Sequence, residues 1–145
     1  MINTSTFKKD IILFIRETLK SGVTNPKGSS IPFIFTSYPE KNVSYPMITI
    51  KSTNMQTTAL GMQSESVWLN MDIEVRVWAL DEKTKDGLTQ QVVDTLRKAK
   101  YGSGSTTENG IYGFQLTSAN VVEEEGEGMP KSEVMTFLYS AILAD

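Results

Sequence analysis

From Val67 to Ala79 the side chains alternate in character without a break. The odd positions are Val67, Leu69, Met71, Ile73, Val75, Val77 and Ala79, and between them stand Trp68, Asn70, Asp72, Glu74, Arg76 and Trp78. Period two is the mark of a strand with one buried face and one wet face. At about 3.3 Å per residue the strand spans roughly 40 Å, against a usual length of about five or six residues. A small domain rarely needs so long a strand for its own core. A protein that reaches across to neighbours, or lines a ring, does.

The remaining elements set what this strand packs against. The 145 residues fit one domain, 1–145. Phe7, Ile11, Phe14, Ile15, Thr18 and Leu19 form one helical stripe. Thr4 or Ser5 is placed to cap that helix, and Gly22 to end it in a left-handed conformation. Loop formers fill 21–31, and Phe33-Ile34-Phe35 reads as a brief strand. Ile48 and Ile50 share a face in a strand opened by Pro46. Residues 54–64 carry no charge and no clear period, and read as an exposed, hairpin-like connection bearing Met55, Leu60 and Met62. Such apolar groups suggest a contact surface; the alternatives are a segment tucked back on the domain or an extension of the two strands.

Asp81 or Thr84 caps a second helix with the stripe Leu88, Val92, Val93, Leu96 and Ala99, and Gly102 is its expected stop. Residues 102–110 read as a flexible loop. Ile111–Val122 reads as a strand with Tyr112, Phe114 and Leu116 on one face. The last strand, Glu133–Leu143, is apolar on both faces, as a central or covered strand is. The expected fold is α+β: a mainly antiparallel sheet of four to five strands with two helices packed on one face. The other face stays open and is a candidate subunit interface.

Composition removes several kinds of chemistry. The chain has no cysteine and no histidine, hence no thiol nucleophile, no disulfide framework and neither the commonest general base nor the commonest metal ligand. A net charge of −3 argues against non-specific nucleic-acid binding. No apolar stretch approaches the roughly 18 residues of a membrane span, and the first residues lack the pattern of a signal peptide. A soluble protein made in the cytoplasm is expected. Gly102-Ser103-Gly104 follows a helix instead of preceding one, so it reads as a linker and not a phosphate loop. Glu123, Glu124, Glu125 and Glu127 lack the spacing of a calcium loop and read as a solvated turn. No catalytic, cofactor or metal residue is assigned.

The element order, with the segment Tyr45-Pro46-Met47-Ile48-Thr49-Ile50, the long alternating strand and a helix from about Asp81 to Tyr101, resembles the tail terminator (tail completion) proteins of long-tailed bacteriophages. The resemblance implies a structural, non-enzymatic virion protein of the tail or neck, assembled in the host cytoplasm. It implies a homo-oligomer, typically a hexameric ring, that caps the tail tube, stops its polymerisation and presents a head-docking surface. The implied partners are the tail tube protein and a head–tail connector or stopper protein. DNA would pass through the lumen without specific binding, and neither cofactor nor membrane is involved. Met55, Leu60, Met62, Trp68 and Trp78 are then candidate tube or subunit contacts, although Trp68 and Trp78 equally suit a core role at the strand ends. Lumen-facing Glu123, Glu124, Glu125 and Glu127 would repel DNA phosphates. Another neck or connector ring is the nearest alternative. A carboxylate-based ligand-binding or enzymatic domain using Asp72, Glu74 and Arg76 is the alternative from another class, and the same three residues suit a cross-strand salt-bridge ladder.

Overall fold

Hydrophobic burial on one side of Val67–Ala79 organises the molecule. The computed structural model describes residues 6–28, 30–41, 43–60, 67–100, 104–122 and 129–143. Its elements run α1 (Phe7–Gly22), β1 (Ile34–Phe35), β2 (Met47–Ala59), β3 (Val67–Ala79), α2 (Glu82–Lys98), β4 (Tyr112–Val122) and β5 (Lys131–Leu143). The five strands form one sheet in the order β1-β2-β3-β5-β4. Every neighbouring pair is antiparallel except β1 with β2. The fold is therefore α+β with a mainly antiparallel sheet, as expected.

Leu69, Met71, Ile73, Val75 and Val77 of β3 are buried. They share one core with Ile11, Ile15 and Leu19 of α1 and with Leu88, Val92 and Leu96 of α2, so both helices lie on the same face. Helix α1 packs over β1 and β2, and α2 over β3 and β5. Strand β5, apolar on both faces, sits between β3 and β4. Its Phe137 stacks on Phe114 of β4 with ring centroids 5.2 Å apart. The buried Tyr139 hydroxyl donates to Met71 Sδ at 3.0 Å, and burial pushes its pKa up.

Several local expectations are corrected. Thr4 and Ser5 lie outside the described residues, and α1 opens after Thr6 without a side-chain cap; the Thr6 hydroxyl donates instead to Asp10 Oδ2. Gly22 is the last helical residue, not a left-handed stop. Its role is close approach, since a Cβ there would lie 2.3 Å from Thr95 Cγ2. Residues 104–110 are a built turn in place of a flexible loop. The Thr106 amide donates to Ala99 O and the Ile111 amide to Thr106 O, both at 2.8 Å, while Ser105 and Thr106 are buried. Tyr112, Phe114 and Leu116 do not share one environment. Two register irregularities interrupt β4, between Tyr112 and Gln115 and between Leu116 and Ser118, and only Phe114 of the three is buried.

Helix α2 is anchored at its start. The Asp81 carboxylate accepts from the Thr84 amide at 2.9 Å and from its hydroxyl at 2.8 Å. Those bonds, the amide's foremost, hold its pKa below 3.8. One turn on, the stem of Lys85 is buried and its ammonium lies 2.9 Å from Glu82 and 3.6 Å from Asp86. Burial pulls that pKa down, but the hydrogen bond and charge of Glu82, with Asp86 and Glu133, outweigh it and raise the group above 10.5. Glu82 also reaches Lys131 of β5 at 3.8 Å, tying the helix start to the sheet.

Two outcomes follow. Alanine normally gains about 1 kcal/mol over glycine inside a helix. Gly87→Ala, with open space around its Cβ, stabilises by about that amount in denaturant melts, whereas Gly22→Ala destabilises and is relieved by Thr95→Ala in the same chain. A carboxyl depressed in the folded state contributes stability above its unfolded pKa and loses it as pH falls through the folded one. Below about pH 4 the melting temperature of the natural chain therefore falls more steeply than that of Asp81→Asn; parallel slopes would show that the cap contributes nothing there.

Candidate functional site

The sheet face away from the helices carries Trp68, Asn70, Asp72, Glu74, Arg76 and Trp78, all half-buried. These residues are tied mainly to their own chain. Arg76 Nε and Nη2 donate to Ser132 Oγ at 3.1 and 2.8 Å, and the guanidinium lies 3.9 Å from the Trp78 ring centroid. Trp78 Nε1 donates to Thr49 Oγ1 at 3.1 Å. The Tyr38 ring meets Trp78 edge-on at 5.1 Å, and its hydroxyl shares a 2.7 Å hydrogen bond with that of Tyr45. Glu74 faces Lys51 across the β2–β3 ladder, with N–O 3.6 Å. Asn70 Oδ1 accepts from Ser140 at 2.7 Å and from Trp68 Nε1 at 3.2 Å.

This arrangement separates the sequence candidates. Asp72, Glu74 and Arg76 share a face as period two requires, but Arg76 is turned to Ser132 and Trp78, and Glu74 to Lys51. That is the geometry of a cross-strand ladder. Trp78 is packed by Tyr38, Arg76 and Thr49 of the same chain. Trp68 stands at the other end of β3, opposite Thr58 of β2 and the exposed Ile142 of β5. The two tryptophans do not form one surface. Met62 and Glu123, Glu124, Glu125 and Glu127 lie outside the described residues. Among the described residues no cluster of three or more Asp or Glu stands ready to hold a metal ion, and no helix is long and apolar enough to cross a membrane.

Met55 is not in a loop. Strand β2 continues to Ala59, in the alternative of strand extension, and places Met55 directly opposite Met71. Burial on β2 nevertheless gives out after Ser52: residues 53–60 are all exposed, with Met55 at 45% and Leu60 at 51%. Strand β1 pairs with β2 only at Ile48 and Thr49. Beyond those residues the outer side of β2 has no strand partner among the described residues. The opposite margin of the sheet, β4, is exposed almost throughout and includes Tyr112, Leu116 and Val121. Neither Ser52–Ala59 nor Tyr112–Val122 contains a charged residue or a proline.

Unprotected strand edges are templates for pairing with another chain, and proteins that stay monomeric usually guard them with charge, proline or cover. The two edges are thus the candidate interaction site. The sequence signal for β2, its lack of charge, was visible. The same signal, a run without charge, is present at 111–122. No protein-family model matches this chain, and no curated protein sequence matches it.

The packing of Trp78 gives a test. Trp78→Ala removes ring contacts and a cation–π pair, and lowers unfolding free energy by about 2–4 kcal/mol without changing the mass measured by light scattering. Altered assembly with unchanged stability would instead place Trp78 in an interface.

Proposed function

We propose that this chain is a structural subunit that closes into a ring at the end of a phage tail tube, in the manner of a tail terminator. The ring halts addition of tube subunits, offers the docking surface for the filled head, and lets DNA through its lumen without binding it specifically. The observation that carries this reading is the outer half of β2, Thr53–Ala59, which is paired to β3 yet exposed and uncharged. A surface of that kind suits repeated contact with identical or symmetric neighbours. The element order and the Tyr45–Ile50 segment add the resemblance to tail terminators. A ring requires heterologous contacts, two different patches on each subunit that meet with a closing rotation, and the two bare edges are two such patches.

Negative-stain microscopy of the purified protein, alone and with purified tail tubes, tests this directly, with light scattering for mass. Closed rings of a few subunits and density on tube ends are expected. A chain that stays monomeric and ignores tubes overturns the proposal, and rings that bind head connectors but not tubes move it to a neighbouring neck position.

A further inference from the structure

We infer that successive copies of this chain join through their sheet edges, β4 of one copy pairing antiparallel with the outer half of β2 of the next. The inference rests on the ring reading for self-assembly as such, and adds the joint.

Each edge offers one uninterrupted run of regular strand. On β2 it is Asn54–Ala59, in register with Val67–Asp72 beyond the irregularity at Ser52. On β4 it is Ser118–Val122, in register with Ser132–Thr136 of β5. Six residues therefore face five. The sidedness also corresponds. Met55, Thr57 and Ala59 lie opposite the core-facing residues of β3, hence on the helix side, and Asn54, Gln56 and Thr58 on the other. On β4, Ala119 and Val121 take the helix side, opposite Met135 and Glu133, while Ser118 and Asn120 take the other. Keeping the helices of both copies on one side sets Met55, Thr57 and Ala59 against Ala119 and Val121, and Asn54, Gln56 and Thr58 against Ser118 and Asn120. Thr57 on the first side and Val122 on the second are the exceptions to apolar against apolar and uncharged polar against uncharged polar.

Strand direction agrees as well. Because β2–β3, β3–β5 and β5–β4 are all antiparallel, β4 runs opposite to β2. Copies placed side by side in the same orientation then bring β4 and β2 together antiparallel, and the sheet continues without a change of pattern. The two runs occupy diagonal corners. The β2 run lies beside residues 67–72 of β3, and the β4 run is level, through β5, with Glu74–Trp78. The offset is about six residues, roughly 20 Å. Each joint thus steps along the strand direction, as the stagger of a closed barrel does. Pairing of β2 with β2, or of β4 with β4, about a two-fold axis leaves the other edge bare. The mixed joint uses both with a single kind of contact.

Two edge variants test it, since lysine is a natural edge guard and all four positions are exposed. Met55→Lys/Thr57→Lys blocks one edge and Ala119→Lys/Val121→Lys the other. With circular dichroism showing both folded, each is expected at one chain mass where the natural chain assembles, and their equimolar mixture at two. Dimers of either variant alone mean like-with-like pairing and overturn the joint. Assembly of both variants at the natural mass overturns the joint and leaves the ring reading standing, while a natural chain monomeric at all concentrations overturns both. Should lysine unfold the chain, the absence of native cysteine permits Thr57→Cys/Ala119→Cys with a short bis-maleimide. A ladder of covalent multimers is expected for this pair and nothing beyond dimers for either single variant; no ladder from the assembled protein overturns the joint.

Discussion

Helix α2 is about 25 Å long and packs on β3, a strand of about 43 Å, from seventeen residues rising ~1.5 Å and thirteen rising ~3.3 Å. Helix α1, with sixteen residues, is no longer. Two such helices cannot cover a five-stranded sheet from end to end and edge to edge. They cover its middle, where β3 lies between β2 and β5 and stays buried to Leu69. That burial is sustained at the far end by Ile111 and Phe114, which belong to the same core as Leu69 and Met71. Strand β2 has no such help on its outer side and emerges from cover after Ser52.

How much of this could be read from the sequence depends on the kind of constraint. Residues 67–79 and the two helical stripes were legible because one-sided burial writes a period into the chain. Strand β5 was legible as central because both of its faces are apolar. Asn54–Ala59 was legible as strand only as one alternative among three, because hydrogen bonding to β3 fixes it without burying either face, and an unburied strand has no period to display. On β4, Gly113 takes φ +61° beside a register irregularity, and a shift in register alters which side chains face the core. Counting by twos through Tyr112, Phe114 and Leu116 therefore failed. Gly22 illustrates a third case: its small size answers to Thr95, 73 positions away in the chain, and no local signal records that contact.

The candidate site divides along the same line. Period two placed Asp72, Glu74 and Arg76 correctly on one face. Whether a face is a site depends on what stands across from it, and Lys51, Ser132, Thr49 and Tyr38 come from elements whose register the sequence does not state. Once those partners are in place the open face is largely satisfied from within: Arg76 by Ser132 and Trp78, Glu74 by Lys51, and Asn70 by Ser140 and Trp68.

That internal satisfaction bears on where a partner strand would gain most from this surface. A polar group that already has its partner gains little from a new one, since association exchanges one hydrogen bond for another of similar strength. Pulling Arg76 from Ser132 to meet a neighbour would also strip the Trp78 ring of its cation. An edge strand is in a different position. Its outward amides and carbonyls are held in line by β3 or β5, and their present alternative is water, so a second strand satisfies them with little further ordering of the edge itself. Rigid preparation of this kind lowers the entropic cost of association. The same ladder that closes the open face as an interface, Lys51–Glu74 and Arg76–Ser132, ties β2 to β3 and β3 to β5. It thereby stiffens the sheet whose margins are offered. In this fold, saturation of the face and exposure of the edges work together, and both point outward along the strands at the sheet's margins.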